Sequence, residues 1–181
     1  MKNTLIYLIG MPSSGKSTFG KMIAEKLNHT FLDLDSLIEQ NNNSTIPQIF
    51  EAKGEDFFRE EEKNALQTTF NLEKTIIATG GGTPCFFDNL GNMKQNGIVC
   101  FLNVELEILV KRTFETQKTQ QNNRPLFKDA SSFEELSKLI SQKWNDRKEF
   151  YQKAHFEVKD NDLKEFLVKK SFFFDKIANI S

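Results

Sequence analysis

The stretch that decides the fold is Thr4-Leu5-Ile6-Tyr7-Leu8-Ile9-Gly10-Met11-Pro12-Ser13-Ser14-Gly15-Lys16-Ser17-Thr18. Thr4–Ile9 is a short apolar run bounded by a glycine, which reads as a buried strand. Gly10–Thr18 then fits the phosphate-loop spacing G-x-x-x-x-G-K-[ST]. Two glycines let the backbone turn tightly around an anion, and the loop amides and the next helix's N-terminus point donors at phosphate. Lys16–Leu27 follows with Phe19, Ile23, Ala24 and Leu27 on one helical face. A chance Gly/Ser-rich turn would lack a strand before it and an amphipathic helix after it. The spacing therefore implies nucleotide binding by Gly10, Ser13, Ser14, Gly15, Lys16, Ser17 and Thr18. Lys16 is expected to bridge the β- and γ-phosphates of ATP, and the Ser17 hydroxyl to hold Mg²⁺. None of this identifies the acceptor.

Outward from the loop, short apolar runs alternate with longer amphipathic segments. Thr30–Leu34, Thr75–Thr79, Ile98–Asn103 and Phe156–Lys159 read as further strands. Ser36–Gln40, Ile46–Lys53, Glu55–Leu72, Glu105–Phe114, Phe133–Tyr151 and Asp162–Ile180 read as helices. Thr116–Asn123 is rich in Gln, Thr and Asn, has no apolar anchor, and reads as a mobile loop within a lid of about 113–130. The alternation predicts an α/β fold, a parallel sheet with helices on both faces. With no internal repeat and no Pro- or Ser-rich linker, residues 1–181 are expected to form one domain.

Net charge is −1, so bulk electrostatics give no case for nucleic acid or an anionic membrane. No apolar stretch approaches the roughly 20 residues that span a bilayer, and the start of the chain does not resemble a signal peptide. A soluble, cytoplasmic protein is expected. Cys85 and Cys100 are far apart with apolar neighbours and read as free thiols. His29 and His155 stand alone, without a partner at zinc-like spacing.

Three pieces bear on the acceptor, each with two readings. Asp33 and Asp35 stand at i and i+2 at the end of the second strand. Carboxylates so placed point the same way, one toward Mg²⁺ and one toward an acceptor hydroxyl, or else they cap the next helix. Arg59 lies on a helix with Glu60, Glu61 and Glu62. It is either part of a solvated charged face or a fork for a substrate carboxylate. Gly80-Gly81-Gly82 ends the third strand, as a flexible turn or as a place where amides approach a ligand.

In order, these motifs resemble the shikimate kinase family: the phosphate loop, Asp33-Leu34-Asp35, Gly54-Glu55-Asp56-Phe57-Phe58-Arg59, Gly80-Gly81-Gly82, Arg124-Pro125-Leu126, and Arg147-Lys148-Glu149-Phe150-Tyr151. The resemblance runs from the first strand to about Tyr151. It implies a three-layer sandwich with a five-stranded parallel sheet of order 2-3-1-4-5, and an acceptor-binding helical region at about 35–72. It implies transfer of the ATP γ-phosphate to the 3-hydroxyl of shikimate, in the pathway to chorismate and the aromatic amino acids, by a monomer.

By residue, Asp33 joins Ser17 at Mg²⁺, while Asp35 holds the reacting hydroxyl and accepts its proton. Arg59 and Arg147 grip the shikimate carboxylate, and Gly80, Gly81 and Gly82 line the acceptor, with Gly81 supplying an amide. Arg124, on the lid, reaches the phosphates, and Arg112 lies against adenine. Glu62 is placed to brace Arg59. The chain departs from the family in a longer stretch between Arg112 and Arg124. It also has no placeable adenine motif near Lys159–Asp162. Two other readings stay open on residues alone: another small P-loop kinase acting on gluconate or a nucleotide, and a nucleotide-binding module without catalysis.

Overall fold

The strands β1 (Leu5–Ile9), β2 (Thr30–Asp33), β3 (Thr75–Ala78), β4 (Ile98–Asn103) and β5 (Phe156–Lys159) form one parallel sheet in the order β2-β3-β1-β4-β5. The structure is a computed structural model. It describes residues 5–118, 127, 130 and 132–178, and the side chains of all of these except 118 and 172–178. The expected sheet and its order are both present.

β1 sits between β3 and β4, with Ile6 opposite Ile76 on one side and Ile98 on the other. Every residue of β1 is buried because both faces are covered. Leu5, Tyr7 and Ile9 face one core with Leu66, Phe101 and Tyr151. Ile6 and Leu8 face another, with Phe19 and Ile23 of α1 (Lys16–Leu27) and Phe166 of α7 (Leu163–Ala178). This is the period-two alternation of a strand inside a three-layer fold. The chain leaves β1 toward β3 and β2 on one side and later fills β4 and β5 on the other. Ligand crevices form where strand order reverses in this way, beyond the carboxyl ends of the strands. Gly10 begins the phosphate loop there.

The other helices are α2 (Leu34–Asn42), α3 (Ile46–Thr68), α4 (Asn89–Asn96), α5 (Leu106–Lys118) and α6 (Phe133–Tyr151). Thr45 and Gln48 form a reciprocal cap at the start of α3. Gly54, at φ 82° and ψ 176°, breaks α3 into segments 46–53 and 55–68. The sequence separates these two segments at the same residue, since this backbone conformation favours glycine.

Three differences from expectation have a clear physical reason. β2 stops at Asp33 and α2 begins at Leu34, because the Asp33 side chain accepts from the backbone N–H of Asp35 and Ser36 and starts the helix there. α5 continues through Thr116 and Gln117, where the composition predicts a loop. The Thr116 hydroxyl donates back to the Arg112 carbonyl at 2.7 Å, and Gln117 Nε2 donates to the Phe127 carbonyl at 2.8 Å. α4 had no counterpart in the sequence reading, since only Leu90 and Met93 bury apolar bulk and Gly91 interrupts the pattern. Among the described residues, no helix is long and apolar enough to cross a membrane.

Candidate active site

Gly10 and Gly15 both take positive φ, 145° and 87°. A Cβ at Gly10 would stand 2.8 Å from the Leu102 carbonyl oxygen, and one at Gly15 would stand 2.7 Å from Asn161 Nδ2. Only glycine satisfies both demands. Lys16 Nζ folds over the loop and donates to the Gly10 and Met11 carbonyls, each at 2.9 Å. Ser17 and Thr18 face the open cavity. Ser14 is wholly buried, its N–H donating to the Met11 carbonyl.

Two elements outside the motif clamp the loop. The hydroxyls of Ser13 and Thr113 share a hydrogen bond of 2.8 Å, and Arg112 Nη1 donates to the Ser13 carbonyl at 3.4 Å. Both partners come from α5. From the β5–α7 junction, Asn161 Nδ2 donates to the Ser14 carbonyl at 3.0 Å. Asn161 itself takes φ 59°, a left-handed conformation that asparagine tolerates better than most residues. The sequence carries no placeable motif at 159–162. The cue was a polar pair, Asp160-Asn161, directly after a strand.

The two aspartates do not share a strand. Asp33 ends β2 and Asp35 lies in the first turn of α2. Asp33 caps the helix and also reaches the phosphate loop, because its two oxygens divide the work. Oδ1 caps α2, accepting from Asp35 N at 3.1 Å, while Oδ2 accepts from the Ser17 hydroxyl at 2.5 Å. Asp35 is carried onward by the helix to the glycine turn. Its Oδ1 lies 2.9 Å from where a Cβ on Gly80 would sit.

Arg59 is 4% exposed. Its Nη1 donates to Glu62 at 2.9 Å, and its Nε and Nη2 donate to Glu55 Oε1 at 3.1 and 2.7 Å. The guanidinium also stacks 4.1 Å from the Phe86 ring centre and 5.1 Å from that of Phe58. Glu62 is fully buried, and its other oxygen accepts from the Thr83 hydroxyl at 2.5 Å. The buried charge is thus paired and hydrogen-bonded, as burial requires. Of the three acids beside Arg59 in sequence, the one that returns to it three residues later is buried, and the other two are not.

Arg147, from α6, is 5% exposed, and its Nη1 is buried without a hydrogen-bond partner among the described residues. A guanidinium donor left so is costly unless an anion arrives. Cys85 lies near both arginines. Burial pushes its thiol up to about 11, with the two guanidinium groups pulling the other way, so it is protonated at neutral pH.

Gly80, Gly81 and Gly82 have no positive φ. Their small size answers a packing demand. A Cβ would stand 2.5 Å from Glu62 at Gly80, 2.7 Å from Pro12 at Gly81, and 2.7 Å from Arg59 Nη1 at Gly82. The glycine turn is wedged between the phosphate loop and the arginine.

One cavity of about 980 Å³ collects these parts. Lys16, Ser17, Arg112, Arg59, Glu62 and Arg147 all line it, with Asp33, Asp35 and Gly80–Gly82 also in its wall. Phe50 and Phe58, 4.8 Å apart, supply an apolar surface beside the arginines. Arg124 lies outside the described residues. Among those residues, no cluster of three or more His, Cys, Asp or Glu could hold a metal by itself. Neither histidine lines the cavity. His29 Nδ1 pairs with the Leu27 carbonyl, and His155 Nδ1 accepts from Val99 N.

The family model described as shikimate kinase matches residues 12–176. A shikimate kinase from Phocaeicola vulgatus is 39% identical over 162 residues, covering 90% of each chain. The solved shikimate kinase of Bacteroides thetaiotaomicron superposes with a TM-score of 0.80 at 35% identity, covering 93% of both chains. That of Acinetobacter baumannii, solved in complex with shikimate, gives a TM-score of 0.81 at 30% identity, covering 98% of this chain and 94% of the other.

Proposed function

This chain belongs to the shikimate kinase family, and from that premise we propose that it transfers the γ-phosphoryl group of ATP to the 3-hydroxyl of shikimate, giving shikimate 3-phosphate and ADP. The observation that carries this reading is the shared cavity. The phosphate loop and the buried arginines Arg59 and Arg147 open onto one space, with Asp35 at the glycine turn in its wall.

The loop amides and Lys16 bind the triphosphate, and Arg112 stands where a nucleotide base emerges from the loop. In the same cavity, the two guanidinium groups bind the acceptor's carboxylate and fix its ring against Phe50 and Phe58. With both substrates so held, Asp35 orients the hydroxyl and takes its proton as the oxygen–phosphorus bond forms. Negative charge that gathers on the departing ADP is offset by Lys16. We assign the same task to Arg124, on the strength of its Arg-Pro-Leu motif, in a lid of about 113–130 that shields the reaction from water.

Ser17 and Asp33 suit Mg²⁺. They offer a hydroxyl and a carboxylate oxygen side by side at the phosphate loop, and magnesium takes one or two such protein ligands beside phosphate and water. When bound, the ion would neutralise phosphate charge. We propose a monomer, folded as one domain and working in the cytoplasm.

The test is a coupled ADP-release assay with ATP and Mg²⁺ on shikimate, gluconate and AMP. Turnover confined to shikimate is expected. Turnover on gluconate or AMP alone overturns the reading.

A further inference from the structure

We propose that Tyr151 is a positioning residue for the acceptor, acting through the peptide between Gly81 and Gly82. This rests on the shikimate kinase reading above and adds a residue to it. The Tyr151 hydroxyl donates to the Gly81 carbonyl oxygen at 2.6 Å, across 70 residues of sequence.

The three glycine carbonyls all have partners, but of different kinds. Those of Gly80 and Gly82 accept from the backbone N–H of Thr83 and Cys85, at 3.3 and 2.8 Å. These are local bonds of the turn itself, and they form wherever the turn forms. The middle carbonyl has no such local partner among the described residues, and its orientation depends on Tyr151. In a trans peptide the C=O and the following N–H point in opposite directions. Drawing the Gly81 carbonyl toward Tyr151 therefore aims the Gly82 N–H away from it. Among the described residues, the N–H groups of Gly80, Gly81 and Gly82 donate to no other group of the protein, and all three glycines line the cavity. A run of amides free to donate suits an oxygen-rich ligand. Gly82 also abuts Arg59, so a rotated peptide at 81–82 would change the ground on which the guanidinium rests.

The hydroxyl is held where this task needs it. The Tyr151 ring is fully buried, stacks on Phe101 at 5.2 Å and packs at a tilt against Trp144 at 6.2 Å. Burial pushes the phenol well above its ordinary pKa, so it stays protonated and remains a donor at any working pH. Arg147 precedes Tyr151 by four residues, one turn of α6, so both side chains leave the same helical face. A single helix thereby supplies a direct contact to the acceptor and an indirect one through the glycine turn.

Tyr7 provides a control within the same core. It is equally buried, and its hydroxyl bonds Thr69 at 3.1 Å, away from the cavity. Tyr151→Phe keeps the ring and its packing and removes the hydroxyl's strong bond to the Gly81 carbonyl, together with its 3.6 Å contact to Met11 Sδ; Tyr7→Phe likewise removes a buried phenol's bond, to Thr69. The assay uses whichever acceptor of the panel the wild type phosphorylates. A wild type that ignores shikimate then counts against the proposed function and leaves the question of Tyr151 open to measurement. Tyr151→Phe is expected to raise the acceptor KM about 5- to 10-fold, the scale of one hydrogen bond, with the ATP KM within about twofold of wild type. Tyr7→Phe should leave both KM values in place. In parallel, the carbonyl ¹³C resonance of Gly81, read without any acceptor present, should move upfield in Tyr151→Phe and stay in Tyr7→Phe. An unmoved Gly81 resonance, an unchanged acceptor KM in Tyr151→Phe, or an equal rise in Tyr7→Phe would each overturn the assignment.

Discussion

Ser17 Oγ and Asp33 Oδ2 lie 2.5 Å apart, joining the first turn of α1 to the last residue of β2. The same aspartate caps α2 through its other oxygen. Asp33→Asn separates the two roles, because asparagine caps a helix about as well as aspartate but carries no charge. We expect the Mg²⁺ concentration for half-maximal rate to rise roughly tenfold, with the melting temperature and the shikimate KM nearly unchanged. Kinetics across a Mg²⁺ titration, with thermal melts alongside, check this.

Asp35→Asn should cut turnover by about 10²- to 10⁴-fold while leaving nucleotide affinity intact, since it removes the proton acceptor from a residue outside the phosphate loop. Steady-state kcat and an ATP-binding titration settle it. Wild-type turnover in this variant would remove Asp35 from the mechanism.

Arg59 is held by two acids of unequal burial. The side chain of Glu62 is 1% exposed and that of Glu55 is 47% exposed. Glu62→Ala leaves the buried Arg59 charge and the Thr83 hydroxyl short of a partner, and should destabilise the fold by about 3–5 kcal/mol. Glu55→Ala breaks a half-exposed pair worth about 0.2–1 kcal/mol. Arg59→Ala should mainly raise the shikimate KM. Denaturant unfolding of the two glutamate variants, with kinetics on the arginine variant, distinguishes brace from grip.

His155 gives the fold a pH dependence unconnected with catalysis. Its Nδ1 accepts from Val99 N at 3.0 Å, and its own N–H donates to the Val99 carbonyl. Burial, followed by the nearby Lys94 charge, lowers its pKa from 6.5 to about 4. The unfolded chain therefore binds the extra proton first as pH falls. The stabilising contribution is complete above pH 6.5 and disappears as pH drops toward 4. Discounted for the ring's partial exposure, it amounts to about 1–2 kcal/mol. His155→Asn preserves an acceptor and removes the titration, so unfolding curves at pH 7 and pH 5 should differ less for the variant than for wild type.

Much of this was legible in the chain. The strand, phosphate loop and helix at 5–27 are local, and local geometry fixed by glycines and by an apolar period shows in the residues themselves. The break at Gly54 and the pairing of Arg59 with Glu62 fall within a helical turn or two, and spacing reveals such contacts. Other features lay out of reach for definite reasons. α4 buries two apolar side chains and has no period to read. Leu-Asp-Leu-Asp fits both a strand-end carboxylate pair and a helix cap, and only the folded chain shows that Asp33 caps a helix beginning one residue later and that Asp35 lies inside it.

By itself, then, the sequence determined the sheet-and-helix alternation and the anion-binding loop, because each of these follows from neighbours along the chain. Tertiary structure alone decided that Arg147 meets Arg59 in one cavity, that Asn161 reaches the Ser14 carbonyl from 147 residues away, that the Tyr151 hydroxyl bonds the Gly81 carbonyl, and that three glycines are small to admit Glu62, Pro12 and an arginine. The physical reason is that these are contacts between side chains brought together only when the sheet is assembled, and burial in that assembly creates the demand for a partner that an isolated segment in water does not have.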